Sequence, residues 1–261
     1  WVGIIGMEAT NAVFHVDNLR IGKVTQGESL PEDVTHLRLD RSIPPVPVSP
    51  EPGLSAYWPL DETSGRVAFD ASGGGCHGQA LAERVAGRRG GALRFDGGTR
   101  GGSAVVHDSG GVHFGDGSFA FSCWLKPFSF ESPKHYRRLM EKTAYPETWW
   151  NVDLLADGRV QLEMGDSNGH PGTTESVGTL ALDMWQHLAI SVNRATREVT
   201  YYFGGQADST APLPAPFKGT LNVPGRPLYL GGKTWPYKGV LDEVRLYRRA
   251  LSPEDVERLS Q

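Results

Sequence analysis

Residues 57–78 read YWPLDETSGRVAFDASGGGCHG, and residues 228–259 read LYLGGKTWPYKGVLDEVRLYRRALSPEDVERL. Each sets acidic side chains inside or just after an apolar, strand-like run, where a carboxylate is costly unless a cation or a donor holds it. Together they predict a β-sandwich closed by its own ends around a cation.

Between these segments strand and turn signals alternate: GALRF, SFAFSCWLKP, RRLMEKT, WWNVDLL, GRVQLEM, WQHLAISVN and EVTYYFGG. Asp157-Gly158 and Thr196-Arg197 each read as the turn of a hairpin. Parity assigns the faces. Phe119, Phe121, Cys123 and Leu125 share one side, with Ser122, Trp124 and Lys126 on the other. Leu188, Ile190 and Val192 point inward and leave Trp185 and His187 outward. Trp150, Val152, Leu154, Val160, Leu162 and Met164 make a core side, opposite Trp149, Asn151, Asp153, Gln161 and Glu163. At the end, Ser252, Pro253 and Asp255 form the capping pattern of a short terminal helix. The fold class is all-β, a two-sheet antiparallel β-sandwich of the jelly-roll kind.

Composition agrees. In 261 residues there are 33 Gly and 18 Pro, with 10% aromatic residues, which suits many short strands joined by tight turns. Charged residues are 21% and the net charge is −4, so bulk charge gives no nucleic-acid footprint. No stretch reaches the roughly 18 consecutive apolar residues of a membrane-spanning helix. Cys76 and Cys123 permit one internal disulfide or two buried free thiols.

Residues 1–24 read as a β-hairpin, WVGIIGMEA and AVFHVDNLRIG, which needs a partner because an isolated hairpin is marginal in water. A proline-rich linker occupies 25–53, with VTHLRLD at 34–40 as a further short strand, and the main domain spans 54–261. A chain opening on Trp1, without the basic region and cleavage site of a signal peptide, is expected to be a processed product or a piece of a longer protein.

The blocks YWPLDETSGRVAFDASGGGCHG, GRRGGALRFDG, GSFAFSCWLKP, MWQHLAISVN and LYLGGKTWPYKGVLDEVRLYRRALSPEDV occur in an order that resembles the laminin-G-like, concanavalin A-like jelly-roll superfamily. The resemblance covers about residues 54–260. It implies a module of secreted or cell-surface proteins, often attached to carbohydrate-active enzymes and commonly carrying structural calcium. FHVDNLRIG is similar to the closing strand of another β-sandwich, of the sort found in carbohydrate-binding modules.

Parity in GVLDEVRLY groups Asp242 with Val240, Val244 and Leu246, on the core side of its strand. Ca²⁺, with six to eight oxygen ligands, is an efficient partner for such a carboxylate. The resemblance implies side chains of Asp70 and Asp242 and carbonyls near His77 and Gly78 as its ligands, with Asp61 and Glu62 as additions. Otherwise Asp70 forms an Asx-turn and Asp242 pairs with Arg245 or a backbone donor.

A sugar surface needs aromatic platforms beside fixed hydrogen-bonding groups. Trp149, Asn151, Asp153, Gln161 and Glu163 supply both, joined by Trp124, Trp185 and His187 if these share the same outer face, with Trp235 and Tyr237 in a nearby loop. The competing reading is that these tryptophans pack under loops or against a neighbouring domain.

Glycoside hydrolases of this fold place three acids at close spacing on one strand. No such run occurs: Glu141 with Glu147, and Glu163 with Asp166, have the wrong spacing. A lyase would draft His135, Tyr136, Arg137 and Arg138, a basic cluster that reads as a solvated loop. The expected function is a non-catalytic extracellular or cell-surface module, stabilised by calcium and binding a glycan or a protein. The alternatives are an assembly subunit that pairs through residues 1–24 with another chain or domain, and a polysaccharide-degrading enzyme.

Overall fold

The computed structural model describes residues 51–98, 102–132 and 134–261. The hairpin at 1–24 and the strand at 34–40 lie outside them, as does all but the end of the 25–53 segment.

Two antiparallel sheets face each other. The first runs β14 (Gln206–Pro212), β13 (Glu198–Phe203), β12 (Gln186–Asn193), β7 (Phe119–Pro127), β16 (Lys238–Tyr247), β5 (Gly91–Asp96) and β4 (Glu83–Ala86), and β1 (Leu54–Trp58) also pairs with β16. The second runs β11 (Pro171–Glu175), β10 (Val160–Gly165), β9 (Thr148–Leu155), β8 (Tyr136–Ala144), β15 (Leu228–Leu230), β6 (Ala104–Val106), β3 (Gly78–Ala80) and β2 (Val67–Ala68). A short helix, α1 (Pro253–Leu259), ends the chain on a capping box between Ser252 and Asp255.

The inward parities meet as expected. Phe119, Phe121, Cys123, Leu125, Leu188, Ile190 and Val192 of the first sheet pack against the inner side chains of β9 and β10 in one core. Trp150 is its centrepiece, fully buried with ring centroids 5.2 Å from Phe114 and 5.1 Å from Phe121. Both cysteines are buried and free. Burial pushes the Cys123 thiol up to about 12, and Cys76 accepts from the Ser109 hydroxyl at 3.1 Å. The expected closure by the chain's own ends is present, with Leu54 opposite Tyr247 and Trp58 opposite Val244.

Two bulges decide what lies outside the sandwich. In β16 the register shifts between Asp242 and Arg245, with Glu243 at φ +55. One extra residue reverses parity. Val244 and Leu246 enter the core, whereas Asp242 faces outward opposite Trp124, so uninterrupted alternation misplaces it. In β8 the shift lies between Arg138 and Met140, which lets Arg138 and Glu141 share the outer face.

Candidate functional site

Cross-strand pairing on the outer face of the second sheet lays out two polar rows. One runs Glu163, Asn151, Glu141 and Tyr229 across β10, β9, β8 and β15. The other runs Glu175, Gln161, Asp153 and Arg138 across β11, β10, β9 and β8. Neighbours in a row are close enough for side chains to touch. The residues expected at the ligand face on β9 and β10 are thus brought together. Alternation found them because neither strand is bulged.

Aromatic residues flank the rows. Trp149 lies flat on β10, its ring filling the space a Cβ at Gly165 would need, and Tyr145 meets it edge-on at 4.9 Å. Trp149 is only 5% exposed while Tyr145 is 71% exposed, so Tyr145 is the accessible ring on that side. On the other side Tyr136 and Trp235 meet edge-on at 5.2 Å, and the Arg138 guanidinium stands 5.5 and 5.3 Å from their rings. Trp235 takes φ +49, and its carbonyl accepts from the Arg138 N–H at 2.9 Å. Glu141 anchors this loop by accepting from the Lys233 and Thr234 N–H groups, both at 2.9 Å, and from the Thr234 hydroxyl. Tyr237, expected in the same loop, is instead fully buried in the core.

Arg138 sits among three carboxylates: Glu141 at 3.5 Å, Asp153 at 3.6 Å and Glu163 at 3.5 Å. These separations are at or beyond the hydrogen-bond limit. Accordingly Arg138 Nε, both Asp153 oxygens and Asn151 Oδ1 are buried without a protein partner, and so is Trp149 Nε1. Asn151 does donate to Glu163 at 3.2 Å. The basic cluster at 135–138 reads from sequence as a solvated loop, whereas Arg138 is buried in β8. Its burial follows from the β8 bulge, which the sequence does not announce.

Asp153 is fully buried, and burial is the main cause that lifts its carboxyl to about 8, against the lowering effect of Arg138 and with help from Glu163 and Glu141. A folded-state value above the ordinary one gives stability that is complete below about pH 4 and lost as pH rises through about 8. Asp153→Asn removes that slope. Between pH 5 and 8 the urea midpoint of the variant is expected to gain steadily on the parent, and a constant difference would show that Asp153 does not carry the buried proton.

The other expected ligand residues lie elsewhere. Trp124 and His187 are cross-strand neighbours on the outer face of the first sheet, with rings 5.5 Å apart, and Trp185 leads into β12 of that sheet. The two sheets have opposite outer faces, so these three residues do not join Trp149 and Asn151. Both Trp124 and His187 are buried, with Arg88 4.8 Å above the indole and Ser122 2.9 Å from His187 Nε2. Burial, with Arg245 and Arg89 nearby, holds the His187 imidazole down at about 4.

The four residues expected around calcium do not form an oxygen cage. Asp70 accepts three backbone N–H groups, from Tyr57, Ser72 and Cys76, each at 2.9 Å. Such donors satisfy a carboxylate by themselves and present positive dipole ends where a cation would need oxygen. His77 Nδ1 accepts from the Asp70 N–H at 3.0 Å, and Gly78 is paired in β3 with both Ala68 and Val106. Asp242 instead accepts the Arg89 N–H at 2.9 Å, and burial lifts its carboxyl to about 7. Glu62 pairs with Arg84 at 2.7 Å, and Asp61 accepts the Gly91 N–H. Among the described residues no group of three or more His, Cys, Asp or Glu side chains is arranged to hold a metal. These residues therefore do not fit the calcium site that the resemblance implies, and the Asx-turn describes Asp70.

With this geometry in place, the family profile of the concanavalin A-like lectin/glucanases superfamily matches residues 96–257. The chain belongs to this superfamily. No curated protein matches it in sequence. Among solved structures, the binding domain of Paraclostridial Mosquitocidal Protein 1 is 18% identical with a TM-score of 0.64, covering 80% of this chain and 52% of that one. The ligand-binding domain of botulinum neurotoxin serotype D, in complex with N-acetylneuraminic acid, is 12% identical with a TM-score of 0.61, covering 80% of this chain and 50% of that one. Domain 4 of the extracellular arabinanase AbnA from Geobacillus stearothermophilus, in complex with arabinotriose, is 21% identical with a TM-score of 0.58. There the match covers 81% of this chain and the whole of the other. The chain thus spans about half the length of the toxin domains it matches. At these identities the likeness shows the superfamily's fold. Among the described residues no helix is long and apolar enough to cross a membrane.

Proposed function

We propose that residues 54–261 are a non-catalytic glycan-binding module whose binding face is the outer side of β8, β9 and β10. The observation that carries the reading is the group of unpartnered polar atoms on that face, on Arg138, Asn151, Asp153 and Trp149, set between accessible aromatic rings. A buried polar atom without a partner is costly. A sugar ring laid over the face meets the half-buried Gln161, Glu163 and Glu175 with its hydroxyls and the aromatic rings with its C–H faces, and reaches the buried atoms beneath by displacing the side chains that cover them. Glu141 is engaged in holding the loop at 233–234, which gives it a structural role. The likeness to an arabinanase domain in complex with arabinotriose and to a toxin domain in complex with N-acetylneuraminic acid supports a glycan as ligand and an extracellular or cell-surface setting.

Calorimetric titration against an oligosaccharide panel that includes arabinotriose tests this. At least one sugar is expected to bind, and Asn151→Ala and Gln161→Ala are each expected to weaken it about tenfold, the equivalent of one good hydrogen bond. Full affinity in both variants would remove this face as the binding site.

A further inference from the structure

The same face carries an imbalance of charge and of hydrogen-bonding type that bears on which sugars it can take. Its rows hold the carboxyl groups of Glu141, Asp153, Glu163 and Glu175, of which buried Asp153 keeps its proton below about pH 8, and the cations beside them are already engaged. Arg138 stands among three of those carboxylates. Arg159 bonds Asp157 at 2.7 Å and also pairs with Glu175. Lys233 places its ammonium over the Tyr229 ring, 5.6 Å from the centroid, at the far end of the row that begins with Glu163. With strands about 4.8 Å apart, three steps put that end roughly 14 Å from Glu163. This exceeds the screening length of about 8 Å at physiological salt.

The groups a ligand meets first are Glu163, 33% exposed, and Glu175, 35% exposed and bonded by the equally exposed Arg159 and by the Gln161 amide. Both present acceptors. Beneath them Asn151 Oδ1 is a further unpartnered acceptor. The unpartnered donors are the neutral Trp149 indole and Arg138 Nε, the latter enclosed by carboxylates. A floor rich in acceptors is matched by a ligand that brings donors. Sugar hydroxyls do so, whereas a sugar carboxylate or sulfate brings acceptors and a charge of the same sign as Glu163 and Glu175.

We infer that this face selects uncharged saccharides and rejects those bearing a carboxylate or sulfate near the bound residue, an inference that rests on the glycan reading above. It separates this chain from a jelly-roll domain seen with N-acetylneuraminic acid, a carboxylated sugar, despite the shared fold.

The test uses matched pairs of glycans that differ by one acidic cap: lactose with sialyllactose, and xylo- and gluco-oligosaccharides with their uronic-acid-capped forms. Each is titrated at physiological salt and again at low salt. The neutral member is expected to bind at least about tenfold more tightly, with the gap widening at low salt as like-charge repulsion is unscreened. In the Glu163→Gln, Glu175→Gln double variant the gap is expected to narrow to within about threefold. Equal or tighter binding of the acidic members overturns the inference while leaving the glycan reading standing. A gap unchanged in the double variant also overturns it, because the discrimination would then be steric. If no member of any pair binds, the glycan reading falls and the selectivity falls with it.

Discussion

Arg138→Ala is expected to destabilise the domain by about 3–5 kcal/mol, the usual cost of removing one partner from a buried ionic cluster. Arg138 is 8% exposed and is the cation that Glu141, Asp153 and Glu163 all approach within 3.6 Å. Without it, the buried Glu141 and the half-buried Glu163 keep their charge beside a protonated Asp153, with no cation among them. Its backbone also matters, because the Arg138 N–H holds the Trp235 carbonyl, but alanine keeps that bond. The loss should therefore report the side chain. Lysine at this position keeps the charge but not the fork, and should recover part of the stability. Adding Asp153→Asn to the alanine variant should change little below about pH 8, where Asp153 is already protonated, and should recover stability only above it. Equilibrium unfolding in urea measures all of these. A loss below about 1 kcal/mol, the range of a surface ion pair, would mean that water replaces the guanidinium and that the cluster is not a sealed unit.

Trp150→Ala is expected to cost about 3–5 kcal/mol by a different route, through lost burial and the cavity that remains. Trp150 is fully buried, and its ring closes an aromatic group with Phe114, Phe119 and Phe121, in which Phe114 and Phe119 stack at 4.6 Å. A domain of ordinary stability has about 5–15 kcal/mol in all, so this one change can consume much of it. A lower urea midpoint with an unchanged slope is the expected signature. Trp150→Phe should retain most of the stability, as the neighbouring rings can still pack on it. If the alanine and phenylalanine variants unfold at the same midpoint, the indole does not bridge the two sheets.

What the sequence disclosed and what it concealed divide along one physical line. Strict alternation is legible wherever pairing is regular. SFAFSCWLKP, WWNVDLL and GRVQLEM therefore located both the core and the row from Gln161 to Asp153. The capping residues and the Asp157-Gly158 turn are local signals and were equally legible. Bulges are set by what the neighbouring strands require and leave little local mark. Parity turns Asp242 inward because the extra residue at Glu243 cannot be counted from GVLDEVRLY, and Arg138 looks solvated because the extra residue at Leu139 hides in YRRLMEK. Sheet membership is also non-local. Trp124 and Trp149 look interchangeable as outward tryptophans until the pairing of β7 with β12 and of β9 with β10 puts them on opposite sides of the sandwich. The hydrogen-bonding of the Asp70 loop is non-local for a related reason: its donors come from Tyr57 and Cys76 as well as Ser72, and a list of acids does not show which amides will reach them.

The pairing of β1 with β16 has a mechanical consequence. Leu54 lies opposite Tyr247 and Trp58 opposite Val244, so the beginning of β1 and the end of β16 leave the sheet at the same place. Hydrogen bonds in an antiparallel ladder run across the strands. Tension applied between residues 54 and 247 would load those bonds one after another, as in opening a zip, rather than all together in shear. The side chains at that corner, the Arg258 to Glu51 pair and the Arg249 bond to the Pro52 carbonyl, would take the load first. A domain laid out in this way yields at that corner under comparatively small force, while the outer face of β8, β9 and β10, on the other sheet, stays unloaded.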